Sequence, residues 1–249
     1  MGNKNIYYFD VIPPEYKKTL ICIHGAGGYA HHWGNQLRKA IDWNCRIIAV
    51  DLPGHGKSGG KPLRSINNYK HFIEQFLAQL QIVNYGVIGH SMGGAIALDM
   101  ALNSLLPPKK IILIGTSPTF RVNTEILNEF KKGLKPDRFI KAAYSKTTPI
   151  DFLNVALKEF AATPAQTYFY DLLACKNFDV TEIIKTLSIP SFWLFGDLDR
   201  LVSNKEVIST ISHITSCQYK IIETAGHMLH LEQAEIINNE IYNFLSSTN

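Results

Sequence analysis

The chain has 249 residues, of which 46% are hydrophobic and 18% charged. That balance excludes a disordered polymer, and the length suits one large domain, one domain with an insertion, or two domains of about 150 residues or less. The formal charge of +4 is modest, and the pairs Lys17-Lys18, Lys109-Lys110 and Lys131-Lys132 are scattered, so no nucleic-acid partner is expected.

The opening residues, Met1 to Asp10, are polar and hold no apolar stretch of signal-peptide length. No run of about 18 apolar residues occurs anywhere, so no membrane span is expected. Cys22, Cys45, Cys175 and Cys217 stand far apart without a CxxC pair, which argues against the usual zinc and redox patterns. Cys22 lies in an apolar run and reads as a buried thiol. The expectation is a reduced, cytoplasmic protein with no metal or organic cofactor, either monomeric or homodimeric.

Ile6–Phe9 offers an edge strand. Further short apolar runs follow at Thr19–Ile23, Arg46–Val50, Tyr85–Ile88, Lys110–Ile114, Ser191–Phe195 and Tyr219–Ile222. Several are apolar on successive residues, which suits strands buried on both faces of a parallel sheet. Helical periods lie between them. Ile66, Tyr69, Ile73, Phe76, Leu77 and Leu80 share one face behind an N-capping Ser65, and Ile237, Ile241, Phe244 and Leu245 repeat the pattern near the end. Strands alternating with helices predict a doubly wound α/β sheet.

The alternation breaks after Ser117. Residues 118–187 carry helix signals and no convincing strand. Thr148-Pro149 reads as an N-cap followed by proline at the first helical position, and Thr163-Pro164 with Gln166 as the same device plus a capping box. The expected organisation is a core of residues 1–117 and 188–249, with 118–187 inserted as a helical lid over the strand ends where ligands bind.

Gly89-His90-Ser91-Met92-Gly93 follows the strand Tyr85–Ile88 and precedes the helical stretch Ala95–Leu102. A serine at the apex of a strand–turn–helix is a nucleophile elbow, with glycines letting strand and helix approach closely. A serine hydroxyl needs a positioned base. His227, in Thr224-Ala225-Gly226-His227 after the last strand, opens on the same sheet edge, whereas His213 and His230 read as surface or packing. The base needs a carboxylate. Asp197 and Asp199 both follow the strand Ser191–Phe195, and spacing alone does not separate them. Gly115-Thr116-Ser117, after an earlier strand, holds no carboxylate.

His24-Gly25-Ala26-Gly27-Gly28 follows the strand Thr19–Ile23. Its small residues leave backbone N–H groups open to an oxyanion, together with the N–H after the nucleophile. A phosphate loop is disfavoured, for neither Gly-Lys-Ser/Thr nor G-x-G-x-x-G is present. Asp51-Leu52-Pro53-Gly54-His55-Gly56-Lys57-Ser58 reads as a structural turn, with His55 a packing or lid contact. His227-Met228-Leu229-His230 is not a zinc motif.

Taken in order, HGAGG at 24–28, DLPGHGKS at 51–58, GHSMGG at 89–94, FGDLD at 195–199 and AGH at 225–227 resemble the α/β-hydrolase fold superfamily over nearly the whole chain. The resemblance implies a mostly parallel sheet with the lid after the sixth core strand. It implies Ser91 as nucleophile, His227 as base, Asp199 rather than Asp197 as acid, and an oxyanion hole from the Ala26 and Met92 N–H groups. Dehalogenases and epoxide hydrolases of the superfamily use an aspartate nucleophile, which Ser91 disfavours. The chain looks most like the small bacterial carboxylesterase, enol-lactonase and carbon–carbon hydrolase group, with Ala234 where proline often stands in the last helix.

The expected function is a serine hydrolase of small to medium carboxylic esters, working through an acyl-enzyme. The alternatives are a thioesterase, a lactonase or a carbon–carbon hydrolase with the same triad, a peptidase using Glu125, Glu129 or Glu159 to hold a substrate amine, and a non-catalytic binding protein on the same fold. His32, Trp33, Phe120, Met92 and Met228 flank the expected site, with His32, Trp33, Phe120 and Met228 the substrate-binding candidates. Tyr144, Phe152, Phe160, Tyr168 and Phe169 are aromatic residues of the lid, each open to a packing role instead. Arg121 and Arg138 in the lid read as surface charge.

Overall fold

The computed structural model describes residues 5–247. Residues 1–4 and 248–249, part of the expected core and of the polar opening, lie outside them. Seven strands form one sheet: β1 (Tyr8–Val11), β2 (Lys18–Ile23), β3 (Cys45–Val50), β4 (Gly86–His90), β5 (Ile111–Ile114), β6 (Ser191–Gly196) and β7 (Cys217–Ile222). Their order across the sheet is β1-β3-β2-β4-β5-β6-β7. Only β1 runs antiparallel, with Tyr8 opposite Val50 and Val11 opposite Ile47. The Asp10 carboxylate ties this edge to β3 by two hydrogen bonds from Arg46.

The helices are α1 (Gly34–Leu37), α2 (Ile66–Gln79), α3 (Met92–Asn103), α4 (Thr124–Lys131), α5 (Asp137–Ala143), α6 (Ile150–Ala162), α7 (Ala165–Lys176), α8 (Asn204–Ile211), α9 (Leu229–Glu232) and α10 (Ala234–Ser246). The core lies in two layers, one on each face of the sheet. Ile21, Ile23, Val87 and Leu113 point to the layer shared with α2 and α3, while Leu20, Cys22, Ile88 and Ile112 point to the layer shared with α10. Successive strand residues are therefore both apolar because each face has a helix to meet. Each fully buried large apolar side chain contributes about 1.5–3 kcal/mol. At the sheet edge, β7 is mostly exposed, so its apolar positions Tyr219 and Ile221 face outward.

The expected face of α2 is buried, and the Ser65 hydroxyl accepts from the Asn68 N–H as its cap. Two other expected caps are absent. Thr148 donates instead to Glu232 (2.8 Å), and Thr163 donates to the Gly27 and Glu159 carbonyls, leaving Pro149 and Pro164 at the starts of α6 and α7. Glu232 and Gly27 are distant in sequence, and hydroxyls that turn to them do not cap. Helices α4 to α7 all fall between β5 and β6, which pair directly. That segment follows the fifth strand counted along the described residues, rather than the sixth. No helix is long and apolar enough to cross a membrane among the described residues.

Candidate active site

Ser91 stands between β4 and α3 with φ 51° and ψ −115°. Few non-glycine residues hold a positive φ, and such strain persists only where surroundings fix it. Here they do. The Ser91 N–H donates to the Ile114 carbonyl (2.8 Å), and the Ser91 carbonyl accepts from the Thr116 hydroxyl (2.8 Å) and the Ala95 N–H (3.1 Å). Two glycines make the approach possible. A Cβ on Gly93 would lie 2.1 Å from the Ile23 carbonyl oxygen, and one on Gly89 would lie 2.3 Å from the Gly93 oxygen.

His227 follows β7 on a loop held from several sides. Its Nδ1–H donates to Asp199 Oδ2 at 2.8 Å. Oδ1 of the same carboxylate accepts from the Leu201 and Val202 N–H groups at 2.8 and 3.1 Å. Burial opposes ionisation of Asp199, but His227 and these amides outweigh it and hold the carboxyl below its usual range. Asp197 instead accepts from the Ala225 N–H (3.2 Å), and so shapes the histidine loop without touching the imidazole. The structure thus separates two aspartates that spacing could not.

His90 was missed as a supporting residue. Its ring Nε2–H donates to the His227 carbonyl at 3.0 Å. Burial and the neighbouring His227 push its pKa well below 6.5, so the ring is neutral. His230 is buried and packs between His90 and Trp33, a core contact as expected. The only sequence signal for His90 is its place inside the Gly89–Gly93 motif.

Ser91, His227 and the glycine loop 25–28 line one cavity of about 420 Å³. Within the loop, the Gly28 N–H closes a turn on the Gly25 carbonyl (3.0 Å), and the Gly27 N–H donates to Asp171 (2.8 Å). Among the described residues the Ala26 N–H makes no protein hydrogen bond. Met92, as first residue of α3, has no carbonyl of its own helix to meet. Neither amide is spent on a protein hydrogen bond among the described residues; Ala26 lines the cavity, whereas Met92 is buried directly behind Ser91. His24, at the start of the loop, has its Nδ1–H on the Gly25 carbonyl and its Nε2 accepting from the Leu52 N–H, and burial keeps it neutral.

Of the expected substrate contacts, His32, Phe120 and Met228 line the cavity. Trp33 does not. It is fully buried with the opposite core layer, because the short helical turn at 30–33 directs successive side chains to different sides. Among the aromatic residues of the segment 118–187, Tyr144, Phe160 and Tyr168 line the cavity, whereas Phe152 turns to solvent and Phe169 packs within the helical segment. Arg121 and Arg138 reach the rim as exposed partners of Glu206 and of Glu125 and Glu129. The wall is mainly apolar; besides Arg121, Arg138 and Arg200 it holds one carboxylate. Glu159 supplies it, accepting from the Tyr29 hydroxyl (2.5 Å) and meeting His32 Nε2 at 3.3 Å. Burial opposes its ionisation, but His32 and Tyr29 outweigh it and hold its pKa below the ordinary value.

Among the described residues no group of three or more His, Cys, Asp and Glu side chains converges as metal ligands would.

Comparison with known proteins bears on the fold and the family. A pimeloyl-acyl-carrier-protein methyl ester esterase of Citrobacter koseri is 29% identical over 84% of this chain and 86% of its own. The solved enol-lactonase of Burkholderia xenovorans superposes with a TM-score of 0.89 at 15% identity, covering 99% of this chain and 98% of its own. An esterase of Exiguobacterium antarcticum gives 0.86 at 19% identity, over 98% of this chain and 96% of its own. At such identities the two structures speak for the fold alone. The model of the alpha/beta hydrolase family matches residues 20–240, and the chain belongs to that family.

Proposed function

We propose that the protein is a serine hydrolase of small to medium carboxylic esters. One observation carries the reading. A serine at a strained strand–helix turn shares a cavity with a histidine whose far nitrogen is held by a buried carboxylate. In the proposed reaction Ser91 Oγ attacks the ester carbonyl while His227 Nε2 takes its proton. Asp199 keeps the other proton on Nδ1 and stabilises the imidazolium. The Ala26 and Met92 amides receive the oxyanion. His227 then protonates the departing alkoxide, and water attacks the acyl-enzyme in the reverse sense to free the acid. The segment 118–187 acts as the lid whose aromatic residues receive the acyl chain, with His32, Phe120 and Met228 beside it.

The test is hydrolysis of p-nitrophenyl esters from acetate to decanoate, with Ser91→Ala as control. Turnover lost in Ser91→Ala supports the reading, and turnover kept in a clean preparation overturns it. Glu159 favours a second reading, in which the carbonyl belongs to an amide whose free amine pairs with that carboxylate. Aminoacyl p-nitroanilides in the same panel decide between them.

A further inference from the structure

Asp171 on α7 is fully buried, and its carboxylate is filled by three donors from three separate places. Oδ2 accepts the Gly27 N–H at 2.8 Å and His55 Nε2–H at 2.7 Å, and Oδ1 accepts the Tyr69 hydroxyl at 2.6 Å. The other His55 nitrogen faces the Pro53 carbonyl at 3.1 Å. A ring with an acceptor on each nitrogen carries two protons. Burial works against that cation, but Asp171 and Pro53 prevail, and the His55 pKa is raised above 6.5. The result is a buried ion pair between the inserted segment and the 51–58 turn.

Gly27 is gripped on its other sides by the same segment. It holds φ +65°, and a Cβ there would lie 2.1 Å from the Tyr168 ring. Its carbonyl accepts from the Thr163 hydroxyl at 3.4 Å. The N–H, the open face and the carbonyl of this one residue are thus all met by residues 163–171. Gly27 directly follows Ala26, and the two share a peptide plane. Fixing the Gly27 N–H therefore fixes the tilt of the Ala26 carbonyl and, through the Gly25–Gly28 turn, the direction of the Ala26 N–H.

We propose that Asp171 is a positioning residue for the oxyanion loop: it locks the Gly27 N–H so that the Ala26 N–H stays aimed into the cavity, and its charge is balanced by His55. The inference rests on the oxyanion role proposed for Ala26. It also gives the DLPGHGKS turn a task in the reaction, exercised through Asp171 rather than by touching substrate.

The test compares three variants by ester kinetics and by amide hydrogen exchange at Gly27. Asp171→Leu removes the acceptor. Gly27 exchange should accelerate at least about tenfold relative to the β4 amides, and kcat should fall by about 10- to 100-fold with KM changed by less than about threefold. Asp171→Asn can keep its oxygen on Gly27 and turn its NH2 toward the Tyr69 hydroxyl, which can accept. It should hold kcat within about fivefold of wild type. Tyr69→Phe loosens the network without touching Gly27, and should lower Tm while kcat stays near wild type. If an unpaired His55 blocks folding of Asp171→Leu, the double variant Asp171→Leu/His55→Leu removes both charges and carries the same expectation. Wild-type kcat in the folded Leu variant overturns the proposal, as does an equal kcat loss in Tyr69→Phe. Absence of ester turnover in the wild type overturns the ester-hydrolase reading alone. Gly27 exchange then decides the loop inference, and an unchanged rate in the Leu variant overturns it.

Discussion

Replacing Asp199 by asparagine tests the proposed triad through a constraint peculiar to this carboxylate. Oδ1 faces two backbone donors, the Leu201 and Val202 N–H groups, while Oδ2 faces His227 Nδ1. An amide placed here must keep its oxygen on the two N–H groups, because the opposite orientation sets NH2 against both. The NH2 then points at His227 Nδ1, which can accept it only by giving up its proton. The neutral ring keeps its proton on Nε2, and that nitrogen can no longer receive one from Ser91. A wrong tautomer of this kind lowers kcat about 10⁴-fold, or roughly 5 kcal/mol of transition-state stabilisation. The assay is p-nitrophenyl butyrate hydrolysis near pH 7.5, with circular dichroism to verify folding. Asp197→Asn is the control, since among the described residues that carboxylate hydrogen-bonds only the Ala225 N–H, and its kcat should stay within about fivefold of wild type. An Asp199→Asn enzyme within tenfold of wild type would refute the assignment of the acid, and with it the tautomer argument.

Gly93→Ala drives a methyl group into the Ile23 carbonyl, a backbone atom that cannot swing away. It should cost about 3 kcal/mol, read as a Tm lower by roughly 6–12 °C; an unchanged Tm would contradict the packing of α3 on β2. Acid should weaken the fold. His24, His90 and His230 are buried and held neutral well below 6.5, so the unfolded chain gains protons that the folded chain refuses. Their contribution is full above about pH 6.5 and is lost as pH falls, each by about 1.4 kcal/mol between about pH 7.5 and about pH 5.5. His55, with its raised pKa, works the other way and offsets at most one such share. Urea denaturation at the two pH values should therefore show a net loss of at least roughly 3 kcal/mol on acidification, and equal or greater stability at the lower pH would contradict it. Trp33→Phe should leave KM for esters unchanged, as the indole lies away from the cavity, whereas His32→Ala should alter it.

The sheet was legible because six of its strands are apolar runs punctuated by glycine or turns, and the two-sided burial of β2 to β6 demands that pattern. The edge strands were less clear. For β1 the bounds move from 6–9 to 8–11, since an edge strand answers to one neighbour and a weaker apolar constraint. Ser91 and His227 stood out from their motifs, and the cavity brings both to one place. Asp171 did not stand out, and Glu159 was not separable from Glu125 and Glu129 as a partner for a substrate amine. Each sits on a helix whose period explains its neighbours, and each acquires its meaning from partners more than 100 positions away. Thr148 and Thr163 mislead for the same reason, as local capping rules cannot see the distant groups that claim their hydroxyls.

The pairing of β5 with β6 has an evolutionary consequence. Ile111 stands opposite Ser191 and Ile114 opposite Leu194, although the entire stretch 115–190 departs and returns between them. The entropy of closing such an excursion grows only with the logarithm of its length, so doubling it costs roughly 0.6 kcal/mol. Helices there can be lengthened, shortened or exchanged with little effect on the sheet, and the cavity wall they supply can diverge while Ser91 and His227 stay in place. Recombination of such segments between relatives then meets its buried charge constraint at one junction: a transplanted helix must bring a carboxylate to the position of Asp171, or arrive with a host turn that lacks His55.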